Sequence, residues 1–92
     1  MTVKRIEILI QGVLKGFGYI AYIYVIAKKL NLKGIAKFID EDKIEVIAEG
    51  EEESLKEFIK YLENNPTAAI INSLEYRVIE PSNSFDDFIA DF

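Results

Sequence analysis

The stretch Ile10-Gln11-Gly12-Val13-Leu14-Lys15-Gly16-Phe17-Gly18-Tyr19-Ile20 lies where one hydrophobic period gives way to another. Upstream, Val3 to Gln11 alternates, with Ile6, Ile8 and Ile10 on one side and Arg5, Glu7 and Leu9 on the other, the period of a strand. Downstream, Tyr19 to Leu30 carries Tyr19, Tyr22, Ile23, Ile26, Ala27 and Leu30 at the spacing of a core-facing helical stripe. Gly12, Gly16 and Gly18 fill the change-over. A glycine-rich turn feeding a helix can aim several backbone N–H groups at one anion, and glycine tolerates the positive φ angles of such a cradle. The same cluster also fits a plain flexible connection. The residues alone leave both readings open.

Working outward, Lys28 and Lys29 fall in the last turn of the first helix, where cations suit the dipole. Asn31-Leu32-Lys33-Gly34 closes that element. Gly34 to Ile39 and Lys43 to Glu49 read as strands joined by the acidic turn Asp40-Glu41-Asp42. Glu51 to about Glu63 is a second helix, with Leu55, Phe58, Ile59 and Leu62 as its buried stripe and Asn64-Asn65-Pro66 as its stop. Ala69 to Ile79 is a further strand. In the tail, Phe85, Phe88, Ile89 and Phe92 fit a helical stripe behind a Ser84 cap, while Phe88, Ala90 and Phe92 fit a strand. The order strand-helix-strand-strand-helix-strand predicts an α+β fold of the ferredoxin-like kind. That is a βαββαβ sandwich whose antiparallel sheet carries both helices on one face. This architecture serves many functions, so function must come from the site.

Composition narrows the chemistry. A chain of 92 residues suits a single domain, 1–92, with a modest core. No apolar run approaches the ~20 residues that span a bilayer, and the N-terminus lacks the layout of a secretion signal. A cytoplasmic location without membrane attachment is the expectation. With neither cysteine nor histidine, thiol nucleophiles, thiolate metal sites and the usual neutral-pH base are excluded. A net charge of −5 and a pI of about 4.7 leave no basic footprint for nucleic acid. The strand Lys43 to Glu49 also offers no stacking aromatics. No cofactor and no metal is expected, and Asp40 to Asp42 reads as a solvated hairpin tip.

Gly12 to Ile20, and Gly34-Ile35-Ala36-Lys37-Phe38-Ile39-Asp40-Glu41-Asp42-Lys43-Ile44-Glu45, carry a resemblance. The first resembles the acylphosphatase signature G-x-V-Q-G-V-x-F-R, and the second matches that family's G-x-V-x-N-x-x-D-G-x-V-E without a gap. Ala27 to Gly34 and Ala48 to Phe58 are also family-like. The ending F-D-D-F-I-A-D-F is similar to the family's closing strand, which favours a short fifth strand over the helical alternative. The resemblance implies small ferredoxin-like enzymes that hydrolyse carboxyl-phosphate bonds. It further implies an arginine that holds the phosphate and an asparagine that positions the attacking water. Here those two positions are Ile20 and Phe38. Isoleucine brings neither charge nor donor, and phenylalanine cannot hydrogen-bond a water. Phosphoryl chemistry depends on positioning and electrostatics, so efficient catalysis is not expected, and no residue is assigned as catalytic.

Two functions follow as expectations. In the first, the domain is catalytically degenerate and acts by binding or self-association. Its contact surface would be the apolar outer side of the first helix, Ile20, Tyr24 and Val25, together with Phe38, unless the tail folds over it. In the second, Lys15 and the backbone of Gly16, Phe17, Gly18 and Tyr19 bind phosphate or sulfate and sustain a weak or altered acyl-phosphate hydrolysis. The plainer reading of Lys15, and the favoured one, is a solvated loop lysine. Lys37 should point to the opposite side of its strand from Phe38.

Overall fold

The computed structural model describes residues 2–92. Strand β1 (Val3–Val13) runs through the glycine loop into helix α1 (Tyr19–Lys29). Strands β2 (Lys33–Asp40) and β3 (Lys43–Glu51) form a hairpin, followed by helix α2 (Glu52–Glu63), β4 (Ile70–Ile79) and a short β5 (Phe88–Asp91). The strands lie in the order β4-β1-β3-β2-β5. β1 pairs antiparallel with β3 and β4, and β2 antiparallel with β3. β5 instead runs parallel to β2, Gly34 opposite Phe88 and Lys37 opposite Asp91. The ferredoxin-like sandwich and its short fifth strand are therefore present, and the fifth strand makes the sheet mixed.

The alternation read in β1 has a direct consequence. Ile6, Ile8 and Ile10 lie across from Ala48, Val46 and Ile44 of β3, and all six are buried. They floor a core roofed by Tyr19, Ile23, Ile26 and Ala27 of α1 and by Leu55, Phe58, Ile59 and Leu62 of α2. Two phenols staple the helices together. Tyr19 donates to the Leu62 carbonyl at 3.1 Å and Tyr22 to the Tyr61 carbonyl at 2.9 Å. Burial pushes the Tyr19 phenol far above its ordinary range.

The helical reading of the tail fails for a backbone reason. The outer edge of β2 is open, and the Asp87 carbonyl accepts the Gly34 N–H at 3.0 Å to start a ladder there. Phe88 then drops into the core, its ring 6.4 Å from that of Phe58. Upstream, the connection from β4 is held by one buried carboxylate. Glu49, only 6 % exposed, accepts the Ser82 N–H at 2.8 Å, the Ser82 hydroxyl at 2.9 Å and the Asn83 N–H at 3.0 Å. The Arg5 guanidinium stands 3.4 Å away. Desolvation is the largest single influence on Glu49 and pushes its carboxyl up, but the donors and Arg5 together outweigh it and bring it below its ordinary value.

A depressed folded-state pKa means that Glu49 contributes stability above the ordinary carboxylate range and loses it as pH falls through the folded value. Glu49→Gln is expected to cost about 2 kcal/mol at neutral pH, the scale of hydrogen bonds to a charged group. The gap to wild type should close in acid. Urea melts of both proteins across that range measure it.

Candidate functional site

The loop between β1 and α1 takes its shape from its glycines. Gly16 and Gly18 have φ of 84° and 74°, in the left-handed region. Leu14 is buried and anchors the loop, while Lys15, Gly16, Phe17 and Gly18 are exposed above it. Gly18 is the N-cap of α1, and its carbonyl accepts the Tyr22 N–H at 3.0 Å. No side chain caps this helix start and its first turn holds no acidic residue, so the chain leaves the positive end of the dipole unopposed. Tyr19 brings only its main chain to the loop, because its hydroxyl is committed to Leu62.

The two sequence stretches that carry the resemblance meet here. The Gly12 N–H donates to the Asp42 carbonyl at 3.0 Å, pinning the β2–β3 turn against the root of the loop. Lys15 extends its ammonium over the ring of Phe38, 5.5 Å from the centroid, a cation–π contact. Phe38 is half-buried on the helix side of β2, opposite Ile44. Lys37 faces the other way, 3.9 Å from Glu45. In the turn itself, Asp40 accepts the Glu41 N–H, and Lys43 lies 3.8 Å from Asp40 and 3.5 Å from Asp42.

Ile20 is not where the surface reading placed it. It is 7 % exposed and belongs to the core, because an apolar side chain on the first turn has no reason to stay in water. It therefore neither lines an outer contact face nor offers a group to the loop. Tyr24 is half-buried, with Phe88 at 6.4 Å and Phe92 at 6.0 Å between ring centroids. The tail thus covers part of this side of α1. Val25, at 59 %, stays exposed.

The arrangement supplies one ammonium, a glycine-shaped backbone and an uncapped helix start. It supplies no guanidinium, since Arg5 and Arg77 both pair with Glu7. Sequence reasoning missed the Glu49 anchor. Its only local signal was the turn-forming run Pro81-Ser82-Asn83, where Asn83 has φ of 56°.

A family model for acylphosphatase matches residues 6–90. The probable carbamoyltransferase HypF of Methanocaldococcus jannaschii is 35% identical over 85 residues, which cover 91% of this chain but 11% of that protein. An acylphosphatase of Caldanaerobacter subterraneus is 32% identical over 85 residues, covering 92% of this chain and 94% of the relative. Among solved structures, the acylphosphatase from Bacillus subtilis superposes with a TM-score of 0.88 at 22% identity, over 99% of this chain and 100% of that one.

The glycines of the loop and of its root should respond differently to a methyl group. A Cβ at Gly16 or Gly18 would meet open space, so alanine there costs only the left-handed backbone, about 1 kcal/mol. A Cβ at Gly12 would stand 1.9 Å from the Ile70 carbonyl oxygen, forcing β1 and β4 apart. Thermal denaturation of the three alanine variants should show Gly12→Ala as much the most damaging.

Proposed function

The chain belongs to the acylphosphatase family, and on that premise we propose that it is a family domain without efficient acyl-phosphate hydrolysis, acting as a binding module. The observation that carries this reading is the Lys15–Phe38 pair. The position where the resemblance implies a water-orienting amide holds an aromatic ring, and the single cation of the loop rests on that ring. With Ile20 in the core, no guanidinium replaces the missing phosphate clamp. A phosphoryl transition state spreads charge over several oxygens, and one mobile ammonium holds it poorly. The ligands that fit are small anions, phosphate or sulfate, met by the loop N–H groups and Lys15. Phe92, exposed against Tyr24, and Val25, exposed one residue further along α1, are the apolar side chains offered to a protein partner.

A second reading, weak or altered hydrolysis of acyl phosphates, is favoured by the same lysine, which overhangs the family's catalytic position. The two are separated by turnover of a simple aryl acyl phosphate. Under the binding reading, wild type stays at background and Ile20→Arg/Phe38→Asn gains about 10²-fold or more, the worth of one well-placed donor. Under the hydrolase reading, wild type exceeds background and Lys15→Ala abolishes the excess. Phosphate titration followed by the amide NMR signals of Gly16 and Gly18 tests the anion site directly. Those signals should shift in wild type and stay fixed in Lys15→Ala.

A further inference from the structure

The two edges of the sheet are built differently. The β5 edge is four residues long, preceded by Asp87 and ending in Asp91, a short and acidic border of the kind that resists strand addition. The β4 edge is ten residues long and holds neither lysine nor proline from Ile70 to Ile79. No described strand pairs with its outer side. Ile70, Tyr76 and Val78 are exposed along it.

Which residues present their backbone at this edge follows from two hydrogen bonds. Gly12 directs its N–H toward β3 and Gly34 directs its own toward β5. Antiparallel pairing alternates from residue to residue, so Arg5, Glu7 and Leu9 of β1 turn their main chain toward Ile79, Arg77 and Glu75 of β4. Leu74, Tyr76 and Val78 consequently point their N–H and C=O groups outward. Their side chains lie on the helix side, opposite Ile10, Ile8 and Ile6, and Tyr76 and Val78 flank a groove shared with Leu55 and Ile59 of α2. Glu75 and Arg77 lie on the helix-free side.

We propose that a second copy of this chain pairs antiparallel with the β4 edge about a two-fold axis at Tyr76. In that register Leu74 faces the second copy's Val78, and Tyr76 faces its own mate, each exchanging main-chain hydrogen bonds. Glu75 then faces the second copy's Arg77, and Arg77 its Glu75. These pairs fall on the non-hydrogen-bonded positions, where opposing side chains approach most closely. Charge selects this register. Moving the axis to residue 75 sets Glu75 against Glu75, and moving it to residue 77 sets Arg77 against Arg77. Among the described residues Glu75 has no ion-pair partner in its own chain, while Arg77 holds Glu7 at 2.6 Å with its side chain 73% exposed. A guanidinium has donors enough for both carboxylates. The two-fold contact closes on itself, and among the described strands the edges left are the two acidic β5 borders. It uses no residue of the glycine loop and stands apart from the reading of that loop.

Sedimentation equilibrium on wild type, Glu75→Arg, Arg77→Glu, Tyr76→Pro and Val25→Asp tests the contact. Tyr76→Pro removes an edge N–H that takes no part in the β1 ladder, where proline is tolerated. Wild type should be dimeric. Glu75→Arg should raise the dimer dissociation constant about tenfold or more, from two like-charge pairs per dimer. Tyr76→Pro should be monomeric with an unchanged circular dichroism spectrum. An equimolar mixture of Glu75→Arg and Arg77→Glu should dimerise again, since both cross-strand pairs then join opposite charges. The proposal is overturned by a monomeric wild type at its highest soluble concentration. It is equally overturned by a dimer that survives both Glu75→Arg and Tyr76→Pro, or by one lost in Val25→Asp but kept in Glu75→Arg.

Discussion

The close approach of two backbones at Gly12 is the constraint from which the rest of the structure follows. The Ile70 carbonyl occupies the space that a Cβ would need, and on the other side the Gly12 N–H reaches the Asp42 carbonyl. β1 is thereby clamped between the start of β4 and the β2–β3 turn at the point where it gives way to the loop. The register shift between Gln11 and Gly12 sits at this same place. The extra residue, Asn72, lies on β4, so the bend falls on that strand and brings the Ile70 carbonyl against Gly12, at the root of the candidate site. Every core residue of β1 takes its depth from that clamp, since a one-residue slip would turn Ile6, Ile8 and Ile10 out to solvent.

On this scaffold the backbone shapes the loop, while the position of the family motif's arginine holds Ile20. Shape comes from backbone: left-handed glycines, an uncapped helix start and a buried Leu14. Chemistry comes from side chains, and those are free to change without disturbing the loop. Burying Ile20 stabilises the domain by about 1.5–3 kcal/mol, on the scale of any large aliphatic group removed from water. A guanidinium would have to leave the core to be of use. At this position the side chain present is a core aliphatic, 7% exposed.

The tail is held by polar and apolar devices acting at different points. Glu49 gathers the donors of Ser82 and Asn83, which brings the chain round from the β4 end. Lys28 then pairs with Asp87, and Phe88 enters the core next to Phe58. The exposed Lys28 pair adds little in water. The buried carboxylate matters more, because its lone pairs would otherwise be stranded away from solvent. With the β2 edge covered in this way, β4 is left as the long open border of the sheet.

The period-two and period-3.6 patterns of the sequence determined the order of the four main strands and two helices, the core face of the strands and of the second helix, and the glycine loop at their first junction. These are local properties, set by which side chains share a face along one element. Periodicity left three further matters open. The tail has both periods in so few residues that its pattern could not choose; the family resemblance favoured a strand, and the open backbone of β2 supplies the ladder that strand joins. The first helix is apolar almost all round, so its sequence did not say which side was outside, and Ile20 went to the core while Val25 did not. Glu49 reads from its strand as one more solvent-side carboxylate, yet its partners lie 33 and 34 residues along the chain. A hydrophobic pattern states which groups avoid water. Which groups then meet is settled only when distant backbone donors and acceptors come within reach of one another.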